Sequence, residues 1–92
     1  MRRAVHLTIT GRVHGVGYRA WLAEQARRYE LAGWVRNRPD GSVEAVLSGD
    51  GRKIEDLTAL CRTGPRAARV SDVVSDAYDE ARMNGFMILP TG

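Results

Sequence analysis

Val5-His6-Leu7-Thr8-Ile9-Thr10-Gly11-Arg12-Val13-His14-Gly15-Val16-Gly17-Tyr18-Arg19-Ala20-Trp21-Leu22 changes its hydrophobic period part-way along. Val5, Leu7 and Ile9 alternate with His6, Thr8 and Thr10, the two-residue period of a half-buried strand. Gly11 to Gly17 then holds three glycines in seven residues, a loop open to unusual backbone angles. From Tyr18 the apolar positions fall at helical spacing, Tyr18, Leu22, Ala26 and Tyr29, with Glu24, Arg27 and Arg28 outside that stripe. A strand therefore feeds a glycine loop and then a helix.

Downstream, Gly33 suits the helix exit or the turn into the next element. Trp34 to Asn37 reads as a short strand, Pro39-Asp40-Gly41 as a turn, and Ser42 to Leu47 as a strand with Val43, Ala45 and Leu47 on one face. Asp50 is a candidate helix N-cap, followed by an apolar stripe of Ile54, Leu57, Leu60 and Cys61 up to Thr63-Gly64-Pro65. Val70, Val73, Val74 and Tyr78 suggest a further strand, and Phe86 to Leu89 a last short one ending at Pro90. The order βαββαβ plus a short extra C-terminal strand is the split βαβ arrangement. It predicts a ferredoxin-like α+β two-layer sandwich, an antiparallel sheet with two helices on one face, as a single domain over 1–92.

Composition narrows the class. Apolar residues make up 43% of the chain, which argues against disorder. No apolar run approaches the roughly 20 residues of a membrane span, and the basic start leads into alternation, so no membrane partner is expected. One cysteine, Cys61, cannot close an internal disulfide, so a reducing, cytoplasmic setting is expected. The net charge of +3 comes from residues scattered along the chain, thirteen of the fourteen being arginine. That scatter suits a small anionic substrate better than nucleic acid, and no nucleic-acid partner is expected.

Gly11 to Arg19 carries the chemistry. Glycines let consecutive main-chain N–H groups converge into an anion-binding nest, and the following helix adds unpaired N–H groups and the positive end of its dipole. Arg19 falls in the first helical turn, where a planar guanidinium can grip two phosphate oxygens. The stretch matches neither the Walker loop, which ends in Gly-Lys-Ser/Thr, nor the dinucleotide fingerprint, whose glycine spacing differs. On its own, such a turn is equally a tight connection.

A second stretch, Gly33-Trp34-Val35-Arg36-Asn37-Arg38-Pro39-Asp40-Gly41-Ser42-Val43, is followed by Gly49. The two stretches together resemble the paired signatures of the acylphosphatase family: a Gly-Arg-Val-Gln-Gly-Val-Gly-Phe/Tyr-Arg loop, then a Gly-aromatic-Val-basic-Asn hairpin ending in Gly-x-Val. The likeness runs through Gly64-Pro65, Ala68-Arg69-Val70 and Gly85-Phe86-x-Ile88. The resemblance implies hydrolysis of the carboxyl–phosphate bond of small acyl phosphates, without metal or other cofactor. Arg19 would hold the phosphate, Asn37 would orient the attacking water, and the backbone of Gly15, Val16, Gly17, Tyr18 and Arg19 would complete the cradle. Inorganic phosphate or sulfate would compete for it, and a monomer is the expected state.

Other residues are expected to serve the structure: Cys61 as a buried thiol, Trp21 and Trp34 as core or rim, and Tyr18 as an anchor of the helix start. Asn37, before Pro39, also fits a plain turn residue. The sequence departs from the family at His14, where glutamine is usual; its side chain is expected to face solvent. Met87 to Gly92 lacks the polar or aromatic finish expected after the last strand, so any brace on Arg19 from a terminal carboxylate is expected to differ. Two rival readings stand beside the enzyme. One is a carbamoyl-phosphate-specific domain of the kind that opens much longer hydrogenase-maturation chains, disfavoured by the lack of appended sequence. The other is a catalytically silent ferredoxin-like binding module for RNA, disfavoured because Val5 to Thr10 and Ser42 to Leu47 carry no aromatics for base stacking.

Overall fold

Alternation at Val5, Leu7 and Ile9 builds β1 (Arg2–Arg12), longer at both ends than its hydrophobic pattern. The computed structural model describes residues 2–79 and 83–92, so Met1 of the basic N-terminal stretch lies outside them. Gly11 and Arg12 belong to the strand, past a register shift between Thr10 and Gly11, which leaves a shorter loop before α1 (Tyr18–Arg28). Then come β2 (Ala32–Asn37), β3 (Val43–Asp50), α2 (Gly51–Cys61), β4 (Arg69–Ala77) and β5 (Phe86–Ile88).

The sheet order is β4-β1-β3-β2-β5. Both β1 and β2 pair antiparallel with β3, and β4 pairs antiparallel with β1. Each βαβ crossover thus skips one strand, as the ferredoxin-like order requires. The four long strands are antiparallel throughout; only short β5 joins in parallel, along β2, which makes the five-strand sheet mixed. Both helices lie on one face, over Val5, Leu7, Ile9, Val35, Val43, Ala45 and Leu47, all buried. The helices contribute Tyr18, Leu22, Ala23 and Ala26 from α1, and Ile54, Leu57 and Cys61 from α2.

Three details differ from expectation. Gly33 does not end α1: Glu30, at φ 57, takes the left-handed position, with Glu30 N–H donating to Arg27 O (3.1 Å) and Leu31 N–H to Ala26 O (2.8 Å), a Schellman closure. Gly33 instead lies within β2, where a Cβ would come 1.8 Å from the Val46 carbonyl oxygen of β3, so close strand approach selects glycine there. Leu60 leaves the α2 stripe at 39% exposed, because Ile54, Leu57 and Cys61 already fill one helical face and position 60 is rotated off it. On β4 only Val73 of the expected apolar residues is buried; Val74 is exposed on this edge strand, and so is Tyr78, just past its end. Asp50 caps α2 as expected, its Oδ1 accepting from Arg52 N–H at 2.8 Å and Lys53 N–H at 3.4 Å.

The uncovered sheet face buries the charged side chain of Glu44. Glu44, 8% exposed, receives His6 Nε2 at 2.6 Å and Arg36 Nε at 2.7 Å, with Arg38 Nε 4.0 Å away. Burial alone would raise its carboxyl, but the hydrogen bonds from His6 and Arg36 and the charges of Arg36 and Arg38 outweigh it and hold it below the ordinary glutamate value. The ion pairs thus stabilise the fold fully above the unfolded-state value of 4.5 and lose that contribution as pH falls through the lower folded one. Glu44→Gln is expected to cost about 2 kcal/mol at pH 7, the scale of hydrogen bonds to a charged group. Thermal melts across pH should show that deficit shrinking in acid; a deficit constant down to pH ~3 would contradict it.

Candidate active site

Between β1 and α1 the chain turns through Gly15 and Gly17, both left-handed at φ 69 and φ 79. A Cβ at either would meet nothing within 4 Å, so backbone angle rather than crowding selects glycine. Gly17 is the N-cap of α1 and offers no side chain, and the first helical bond runs from Trp21 N–H to Gly17 O at 3.0 Å. The N–H groups of Tyr18, Arg19 and Ala20 therefore have no intrahelical acceptor, at the positive end of the helix dipole. Tyr18 fixes this corner: its ring is buried, and its hydroxyl donates to Cys61 O at 2.7 Å.

These groups border a cavity of 330 Å³ lined by Val13, Gly15, Gly17, Tyr18, Arg19, Ala20, Asn37 and Ile88. Arg19, the second residue of α1, is half-buried and donates from Nη1 to Leu89 O at 3.4 Å. Among the described residues no carboxylate forms an ion pair with it, which leaves most of its donors to the cavity. Asn37 enters from the opposite wall. It is the last residue of β2 and pairs with Val43, whose side chain is in the core, so Asn37 shares the helix-covered side of the sheet. Its main-chain oxygen accepts from Gly92 N–H at 3.1 Å, and among the described residues no hydrogen bond engages its carboxamide. Arg19 and Asn37 thus line one concavity together with Gly15, Gly17 and Tyr18; Val16 is not part of its lining and packs its side chain against the core.

His14 corrects an expectation. Its side chain does not face solvent but is half-buried, with Nε2 2.8 Å from Ser42 O. The segment after β5 also follows its own course. Leu89 N–H donates to Val35 O at 2.8 Å, and Gly92 sits so close to Arg36 that a Cβ there would meet Nη1 at 2.7 Å. A main-chain carbonyl, Leu89 O, is what braces Arg19. Cys61 is buried, and burial pushes its thiol up to about 12, far from the thiolate a nucleophile needs. Among the described residues no group of three or more His, Cys, Asp or Glu is placed to hold a metal ion, and none of their helices is long and apolar enough to cross a membrane.

A family model for acylphosphatase matches residues 5–88. The chain belongs to the acylphosphatase family. An acylphosphatase of Acidiphilium cryptum is 47% identical over 89 residues, 97% of this chain and 98% of that one. Among solved structures, an acylphosphatase from Coxiella burnetii superposes with a TM-score of 0.93 at 32% identity, covering 96% of this chain and 93% of the other. The Bacillus subtilis acylphosphatase gives 0.91 at 29% identity over 97% and 99%. The protein is thus an acylphosphatase enzyme, a hydrolase acting on small acyl phosphates.

Some parts of this acylphosphatase site escape a reading by motif. Ala20 and Ile88 line the cavity, and Leu89 reaches Arg19 from just past β5, far along the chain. The Glu44 cluster was within reach: a turn centred on Asp40 sets Arg36 opposite Glu44, an opposite-charge cross-strand pair flanking Asn37.

Proposed function

We propose that Arg19 and the main-chain N–H groups from Gly15 to Arg19 bind the phosphoryl group of an acyl phosphate, and that Asn37 orients the water attacking its phosphorus. The supporting observation is the single cavity in which Arg19, with no carboxylate partner among the described residues, faces Asn37 across the glycine loop and the N-terminus of α1. The water oxygen forms a bond to phosphorus while the bond from phosphorus to the acyl oxygen breaks. A carboxylate leaves with that electron pair. Being a weak base, it needs no strong general acid. The reaction then asks for two things, stabilisation of the phosphoryl oxygens and an in-line nucleophile. The guanidinium and the amides supply the first, from fixed positions that need no reorganisation. The carboxamide oxygen of Asn37 supplies the second by accepting one water hydrogen. An amide cannot act as a base near neutral pH, so the proton passes to a phosphoryl oxygen and dihydrogen phosphate is released.

In this reading Arg19 and the amides provide the positive potential that a divalent ion would otherwise provide, so the enzyme works without metal. Inorganic phosphate and sulfate compete with substrate for the same donors. Every group named comes from one chain, so a monomer suffices. A reducing, cytoplasmic setting is the proposed location, supported by a lone buried cysteine. The test is the ultraviolet decay of benzoyl phosphate with excess chelator present. Turnover undiminished by chelator and competitively inhibited by phosphate is expected; loss of activity on chelation, restored by a divalent ion, would overturn the metal-free mechanism.

A further inference from the structure

The two walls of the site come from strands that are not neighbours. The glycine loop follows β1, Asn37 ends β2, and β3 lies between them. The ladder sets Asn37 against β1 through β3, with Ile9 opposite Val43 and Val43 opposite Asn37, but the glycine loop lies beyond the end of β1. One side chain ties that loop to the β2–β3 hairpin. His14 sits in the loop, and its Nε2 lies 2.8 Å from the carbonyl oxygen of Ser42, just ahead of β3. A carbonyl has no hydrogen to give, so Nε2–H is the donor. The same oxygen accepts Arg38 N–H at 2.9 Å, and Arg38 directly follows Asn37. Ser42 is itself pinned, its N–H and Oγ–H donating to Asp40 Oδ1 at 2.9 and 2.6 Å. The Ser42 carbonyl is therefore a junction between the loop and the turn that carries Asn37.

We infer that His14 is a positioning residue, whose ring N–H sets the spacing between the phosphate cradle and the water-orienting carboxamide. The inference rests on the roles proposed above for the loop and Asn37. It also accounts for the departure from the family's usual glutamine. The side-chain nitrogen of glutamine lies the same number of bonds from Cβ as Nε2 of histidine, and it too donates a hydrogen. What the position requires is then an N–H donor at that reach.

Two variants of nearly equal length separate donor from filler: His14→Gln keeps an N–H, and His14→Met removes it. With benzoyl phosphate, His14→Gln is expected to hold kcat within about threefold of the parent. His14→Met should lose about tenfold in kcat, less than the roughly 10²-fold that a 1 Å misplacement of a reacting group costs. Phosphate inhibition should stay within about twofold in both, and their melting temperatures should agree. The nitrogen and proton shifts of the Asn37 carboxamide and the Arg38 amide should move in His14→Met and return in His14→Gln. Equal kcat for the two variants, or Asn37 and Arg38 resonances unmoved in His14→Met, would overturn the inference. Should the parent enzyme leave benzoyl phosphate intact, the proposed reaction falls, while the Asn37 and Arg38 resonances still decide the positioning link.

Discussion

Arg19→Gln should remove hydrolysis of benzoyl phosphate almost entirely, with kcat/KM falling by at least about 10³-fold. Loss of one oriented donor from a preorganised site costs roughly 10²–10³ in rate, and Arg19 offers a charged, two-pronged donor where glutamine offers one neutral N–H. Because the guanidinium serves the ground state as well, inhibition by inorganic phosphate should weaken in parallel. The fold should survive, since among the described residues this side chain is tied by one long bond, to Leu89 O at 3.4 Å. Steady-state kinetics with phosphate inhibition, beside a thermal melt, checks this. Parental turnover and parental inhibition in a folded variant would remove Arg19 from the site.

Asn37→Ala should divide the two functions that Arg19 joins. The carboxamide has no structural partner among the described residues, so its loss leaves the sheet intact. It also contributes nothing to the amide cradle, so phosphate should bind within about twofold of the parent. The turnover number should nonetheless fall by roughly 10²–10³-fold, because the water is no longer held in line. A loss confined to kcat is the mark of an interaction made in the transition state. Calorimetric titration with phosphate reports the first quantity and benzoyl phosphate decay the second. If phosphate binding disappears while the fold remains, Asn37 is a ligand to the anion and not the holder of the water.

How far the residues alone foretell this molecule depends on how local each feature is. Val5, Leu7 and Ile9 settle β1 because a two-residue period admits one side for burial, and Asp50 caps α2 through bonds to residues two and three places on. The loop from Gly15 to Arg19 is legible for the same reason: its angles and its helix start are set within five consecutive residues. Features that depend on a third element are not. Gly33 reads as a helix exit or a turn into the next element, yet its reason is the Val46 carbonyl on the neighbouring strand. His14 reads as a surface side chain, yet its partner lies 28 positions away in the β2–β3 hairpin. Leu89 carries no chemical signature, and it braces Arg19 through main-chain oxygen, a group every residue possesses.

The convergence of loop amides and Arg19 on one anion is tested most directly by titrating isotopically labelled protein with inorganic phosphate and following every backbone amide and arginine side-chain resonance. The account predicts that the largest saturable shifts fall on the amides of residues 15 to 19 and on the Arg19 guanidinium. Saturable shifts centred on other arginines, with residues 15 to 19 unmoved, would contradict it.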